Sequence, residues 1–346
     1  MALIIAIIKI VMNKKSAVLI LILMIAGIVW LGSSIEKKYF LVNSGKVNVV
    51  TTLFPFYDFA RMIGGDKAEV SFLLPPGVDP HSFEPKPGDI FKMNRSDIFI
   101  YTGDLMEPWA KDILNGINNK DLLVLNASSN VVLLPAIFRD PNGQTGAIDP
   151  VRNSPPTGPL GAQGAGAISN GMDPHIWLDL DNDKIIVNSI AEAFAEKDPA
   201  NKNYYEERAA AYNKQLADLD NEYASALSSC PSREIIYGGH YAFGYLAKKY
   251  SLKYISVQGI SPDAEPTAID LAMLVDQIKK DGIKYVFYEE LNSPKIAETL
   301  ASETGAKLLL LNPGANVAKS DLDAGVSFID IMNKNLADLK IGLGCQ

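Results

Sequence analysis

Histidine, cysteine and net positive charge are all in short supply in this 346-residue chain, and each shortage narrows what it can do. Its two cysteines, Cys230 and Cys345, have no C-x-x-C spacing, which argues against a thiolate zinc cluster or an iron–sulfur centre. Two alternatives stay open for them: a long-range disulfide in an oxidising compartment, or two buried thiols. The net charge is −8 and the pI about 5.0, which disfavours nucleic acid, whose phosphates call for a basic face. An acidic surface is compatible with a cationic cargo. Histidine occurs only three times, at His81, His175 and His240. Each sits where an apolar run gives way to a turn, in PPGVDPHSFEP, GMDPHIWLDL and IIYGGHYAFGYLAKKY.

What is present fits a globular protein with more than one lobe. Hydrophobic residues at 48% against 21% charged supply ample material for buried cores, and the length suits two units. Residues 16–32 are a nearly continuous apolar run behind Lys14 and Lys15, the pattern of a secretory signal or an N-terminal anchor. Either reading puts the rest of the chain outside the cytoplasm. Residues 1–45 are therefore read as signal or anchor plus spacer.

From Lys46 onward, β-branched runs alternate with amphipathic segments: VNVVTTL, then FPFYDFARMIGG, AEVSFLL, PGDIFKMNRS, DIFIYTG, EPWAKDILNGI and LLVLNAS. Such alternation predicts an α/β fold with parallel sheets and covering helices. Residues 135–171 break it, being rich in Gly, Pro, Asn and Ser without apolar period. They read as a flexible insertion, either a mobile flap over a site or a passive one. Residues 203–229 then predict one helix of about 27 residues and about 40 Å, a rigid connector between lobes. A second βα series follows. The expected organisation is an N-terminal lobe over 46–200, a linking helix over 201–230 and a C-terminal lobe over 231–346.

In open α/β sheets, ligand groups gather in loops at the carboxyl ends of strands. His81 follows AEVSFLL, His240 follows REIIYGG, and His175 enters WLDL after the insertion, so one ion in the cleft between lobes would gather all three. Neutral imidazole suits zinc and its neighbours, whereas Mg²⁺ and Ca²⁺ call for carboxylates. Two of the histidines share Asp-Pro-His, and Asp79 and Asp173 are candidates to accept from the ring nitrogen not on the metal. Glu289, at the end of YVFYEE, and Asn312, at the end of KLLLLNP, are candidates for a fourth ligand.

The motifs LLPPGVDPHSFEP, the G-x-x-x-E-x-W of Gly103, Glu107 and Trp109, MDPHIWLD, GGHYAFGYLAKKY and ISPDAEPT together resemble the zinc/manganese solute-binding proteins of ABC importers, the ZnuA- and TroA-like family. The resemblance runs from about Val47 to Leu343. It implies two (β/α) lobes on one long helix, with the metal gripped between them and handed to a membrane permease. It also implies a monomer with no enzymatic activity. By motif, His81, His175 and His240 fall on ligand positions, and a histidine at the third resembles zinc-preferring rather than manganese-preferring members. Two departures stand out: Asn312 takes a position where the family often has aspartate, and the insertion contains no histidine. Zn²⁺ is the expected cargo, with Mn²⁺ as the alternative. The rival readings are a metal-binding adhesin of the same fold and a zinc hydrolase.

Overall fold

Parallel pairing is set by the first three strands. In the computed structural model, which describes residues 45–139, 145–147, 171–260, 266–291 and 293–346, the first half alternates β1 (Val47–Thr51), α1 (Phe54–Gly64), β2 (Ala68–Phe72), α2 (Pro87–Arg95), β3 (Ile98–Tyr101), α3 (Ala110–Gly116) and β4 (Leu123–Asn126). The expected anchor or signal segment lies outside the described residues, as do residues 140–144 and 148–170 of the insertion and most of ISPDAEPT. The strands form one parallel sheet in the order β2-β1-β3-β4. β3, Ile-Phe-Ile-Tyr, is buried along its whole length, as a strand covered on both faces must be. Glu107 ties the ends of β1 and β3 together. Its buried carboxylate accepts from the hydroxyls of Thr52 (2.6 Å) and Thr102 (2.9 Å) and from the Gly103 N–H (3.1 Å).

The insertion is not irregular at its base. β5 (Ile137–Arg139) and β6 (Thr145–Ala147) pair antiparallel, and Pro135 bridges Met172. Ala136 N–H donates to Gly171 and Asp173 N–H to Leu134, so the two ends leave the fold side by side. Tyr245 from the second half closes the stem: its hydroxyl accepts from the Leu134 N–H and donates to the Asp173 carbonyl.

Two consecutive helices follow, α4 (Leu180–Lys197) and α5 (Lys202–Ser228). Only the second was expected from the sequence. α4 begins at Asp179, whose side chain caps the Asp181 N–H, a start signal that stands in the sequence after WLDL. α5 is 27 residues long and buries Tyr205, Ala209, Tyr212, Leu216, Leu219, Tyr223 and Leu227, one stripe at helical spacing. Near its start Tyr205 stacks on Phe194, and near its end Tyr223 stacks on Tyr250 and donates to the Met332 carbonyl. The helix therefore bears on both halves.

The second half runs β7 (Glu234–Tyr237), α6 (Gly244–Lys249), β8 (Lys253–Ser256), α7 (Ala268–Asp281), β9 (Tyr285–Tyr288), α8 (Lys295–Thr304), β10 (Lys307–Leu310), α9 (Lys319–Ala324) and α10 (Phe328–Leu343). Its strands form a second parallel sheet, β10-β9-β7-β8. The fold is thus α/β with two parallel sheets and a long helix between them in sequence. α10 reaches back to the first half, where buried Asp58 on α1 accepts from Tyr212 Oη and the Phe328 N–H, both at 3.0 Å. Among the described residues no helix is long and apolar enough to cross a membrane.

The cysteines pair. Cys230, just past α5, is bonded to Cys345, just past α10, across 115 residues of chain. A loop of that size is worth about 4–5 kcal/mol in the chain-entropy model. Disulfides usually deliver less than that model gives, so a Cys230→Ser/Cys345→Ser protein should lose about 2–4 kcal/mol of unfolding free energy in urea titrations. Equal midpoints for the two proteins would show that the bond contributes nothing to stability.

Candidate metal centre

Three loops from three parts of the sequence deliver one imidazole each. His81 follows β2 on a proline-stiffened turn, His175 opens the short 3-10 turn Ile176–Leu178, and His240 leaves β7 through Gly238 and Gly239. Their ring centroids form a nearly equilateral triangle with sides of 5.4, 5.4 and 5.2 Å. One nitrogen from each ring lies within 4.8 Å of the other two, and this is the one such grouping of His, Cys, Asp or Glu among the described residues. Nε2 of His175 and Nε2 of His240 are 3.2 Å apart. Two nitrogens on a tetrahedral zinc, each about 2.0–2.1 Å from it, stand about 3.3 Å apart. Nε2 of His81 is buried without a hydrogen-bond partner, a costly state for a polar atom unless something else binds it.

Carboxylates hold two of the rings from behind. Asp173 Oδ1 accepts from the His175 backbone N–H at 3.0 Å and meets its Nδ1 at 2.7 Å. Glu289 Oε2 meets Nδ1 of His240 at 2.8 Å. Each contact turns Nε2 toward the centre of the cluster and raises the ring's basicity as a ligand. The shared Asp-Pro-His motif has one common part: Asp79 likewise accepts from the His81 backbone N–H, at 2.8 Å. Only Asp173 extends that bond to the ring. The space for these carboxylates depends on glycine. A Cβ on Gly244 would lie 2.5 Å from Asp173 Oδ2, and one on Gly239 would crowd the Tyr237 ring at 2.7 Å and Glu289 Oε2 at 3.2 Å.

Of the two residues considered for a fourth ligand, Glu289 reaches the site but approaches His240 through Nδ1. Asn312 is engaged elsewhere. Its Oδ1 accepts from the Gly314 N–H at 2.8 Å, its amide faces Glu290, and its backbone is bonded twice to Asn335. Sequence reasoning missed Glu289 as the partner of His240, although an acidic pair ending a strand was the available signal. It also missed the aromatic packing under the site, where Trp177 lies edge-on to the His175 ring and Trp109 edge-on to Phe83, two residues past His81.

The electrostatics favour a cation at the centre. Burial, reinforced by the His240 charge, holds the His81 and His175 rings well below the ordinary imidazole pKa, so both are neutral near pH 7. For His240 burial opposes the charge, but Glu289, with Asp79 and Asp173, outweighs it and raises the pKa. Burial pushes the Asp173 carboxyl up to about 8, against the pull of the His175 N–H and His240. The groups drawn toward their protonated forms are therefore His240 and Asp173, and a divalent ion at the centre would compete with those protons.

The model of the zinc-uptake complex component A periplasmic family, ZnuA, matches residues 49–342. The chain is 35% identical over 312 residues to the high-affinity zinc uptake system protein ZnuA of Bacillus subtilis, covering 90% of this chain and 92% of that one. It is 32% identical over 328 residues to the zinc-binding protein AdcA of Streptococcus pyogenes, covering 95% of this chain but only 61% of that longer relative. The crystal structure of the Zn(II)-bound ZnuA-like domain of Streptococcus pneumoniae AdcA superposes with a TM-score of 0.69 at 33% identity. The match covers 86% of this chain and 99% of that one.

Two expectations follow from the geometry. Gly244→Ala keeps an allowed backbone, but its Cβ would meet Asp173 Oδ2 at 2.5 Å and the Tyr241 hydroxyl at 2.7 Å, so it should displace the carboxylate behind His175 and weaken zinc binding by about 10–100-fold while the circular dichroism spectrum is kept. Unchanged affinity would show that Asp173 does not orient the ring. Metal binding must also drive protons from His240 and Asp173, so affinity should fall as pH drops from 8 to 5. Calorimetry in buffers of different ionisation enthalpy should find at least about one proton released per zinc at pH 7, and less in Glu289→Gln, which lowers the His240 pKa. A flat pH profile contradicts ligation by these histidines.

Proposed function

This chain belongs to the ZnuA family of periplasmic zinc-uptake components, and on that premise we propose that it captures one Zn²⁺ ion outside the cytoplasm through His81, His175 and His240. It is a binding protein and not an enzyme. The reading rests chiefly on one observation: the chain's only three histidines, 65 to 159 positions apart, converge with one nitrogen from each within 4.8 Å of the others, two of them 3.2 Å apart. Imidazole favours zinc over manganese, which prefers carboxylate and water. Because Glu289 is engaged at Nδ1 of His240 and Asn312 at Gly314, we assign the fourth position to a water molecule.

Delivery requires a membrane partner, which we take to be the permease of an ABC importer, approached by this protein as a monomer. We further take residues 46–200 and 231–346 as its two lobes, 201–230 as the linking helix, and residues 16–32 as the signal or anchor. A Cys230–Cys345 bond is in keeping with an oxidising compartment.

Equilibrium dialysis with metal analysis tests the reading. It should find about one zinc per chain, and His240→Ala should weaken binding by at least about a hundredfold, since removing a ligand costs more than removing its supporting partner. Zinc should displace manganese in competition. A His81/His175/His240 triple alanine variant that binds zinc like the parent refutes the site.

A further inference from the structure

Residues 311–317, between β10 and α9, touch the approach to every one of the three histidines. The Leu311 carbonyl accepts from Tyr237 Oη at 3.1 Å, three residues before His240. The Pro313 carbonyl accepts from the Trp177 indole N–H at 2.7 Å, two residues after His175. The Val317 carbonyl accepts from the Gly77 N–H at 3.0 Å, in the turn that leads to His81. Between them lies Asn316, 2% exposed, whose amide nitrogen donates to the carbonyls of Pro75 at 2.8 Å and Val78 at 2.7 Å. Its Oδ1 accepts from the Val317 N–H at 2.8 Å, so the whole amide group is used.

We propose that this segment is the common scaffold of the three metal-binding loops, and that Asn316 is the positioning residue that sets His81 against the other two rings. The inference rests on the reading of the three histidines as the zinc ligands. His175 and His240 each have a carboxylate at ring Nδ1, whereas among the described residues the His81 ring has none. His81 is therefore placed through its backbone. Pro75 and Val78 are the two ends of one turn, closed by the Val78 N–H on the Pro75 carbonyl, and Asn316 grips both ends. That turn cannot rotate without breaking two part-buried hydrogen bonds. The chemistry is particular to the amide: alanine supplies no donor, and aspartate sets two acceptors against two carbonyls.

The test is a double-mutant cycle read by zinc competition against a chromophoric chelator. The parent, Asn316→Ala, His81→Ala and the double variant are compared, with His175→Ala and His240→Ala as controls on the underlying reading. Asn316→Ala should weaken zinc about tenfold where His81 is present and add no further loss where His81 is gone. Asn316→Asp, matched in size, repeats the comparison if the alanine variant folds poorly. Parent-like affinity in a folded Asn316 variant, or an equal loss with and without His81, overturns the proposal. So does failure of both Asn316 variants to fold, since the segment is then a requirement of the fold rather than of the site. If the histidine controls themselves keep full affinity, it is the site assignment that fails.

Discussion

Three imidazole rings with centroids 5.2–5.4 Å apart, largely removed from water, cannot all carry a charge. Lost solvation, reinforced by mutual repulsion, keeps two of them neutral, with lone pairs directed at one small volume. The third is drawn toward its charged form by Glu289. Such a cluster stabilises a cation at its centre and is frustrated without one. The rest of the molecule can be understood as what forces three distant segments into that arrangement.

The forcing is done in layers. Carboxylates fix the rings: Asp173 behind His175 and Glu289 behind His240, each in space that glycine leaves open. Side-chain bonds to backbone carbonyls then fix the loops, through Trp177 on Pro313, Tyr237 on Leu311 and Asn316 on the turn before His81. The long helix and α10 fix the halves, meeting at Asp58, and the disulfide joins the far ends of both helices. A zinc ion held by these three rings would need this depth of support, because zinc distances tolerate only about 0.2 Å of error.

Much of this was legible in the sequence, for definite reasons. Apolar runs such as IFIY and EIIY announce buried parallel strands, and the spacing from Tyr205 to Leu227 announces the long helix. The histidines stood out because there are so few of them. Other parts were hidden because their partners lie far away in the chain. Nothing local to Asn316 indicates that it grips a turn some 240 residues earlier. Asn312 looked like a ligand by its place at a strand end, yet its side chain serves its own turn. The pairing of Cys230 with Cys345 follows from the packing of two helix ends, which spacing alone does not reveal.

The central claim concerns what surrounds the bound ion, and X-ray absorption at the zinc edge of the one-zinc protein reads that directly. Three imidazole nitrogens and one oxygen at about 2.0–2.1 Å, with the outer-shell scattering of three rings, is the predicted spectrum. A shell with two or fewer imidazoles, or one dominated by carboxylate oxygen, would contradict the account.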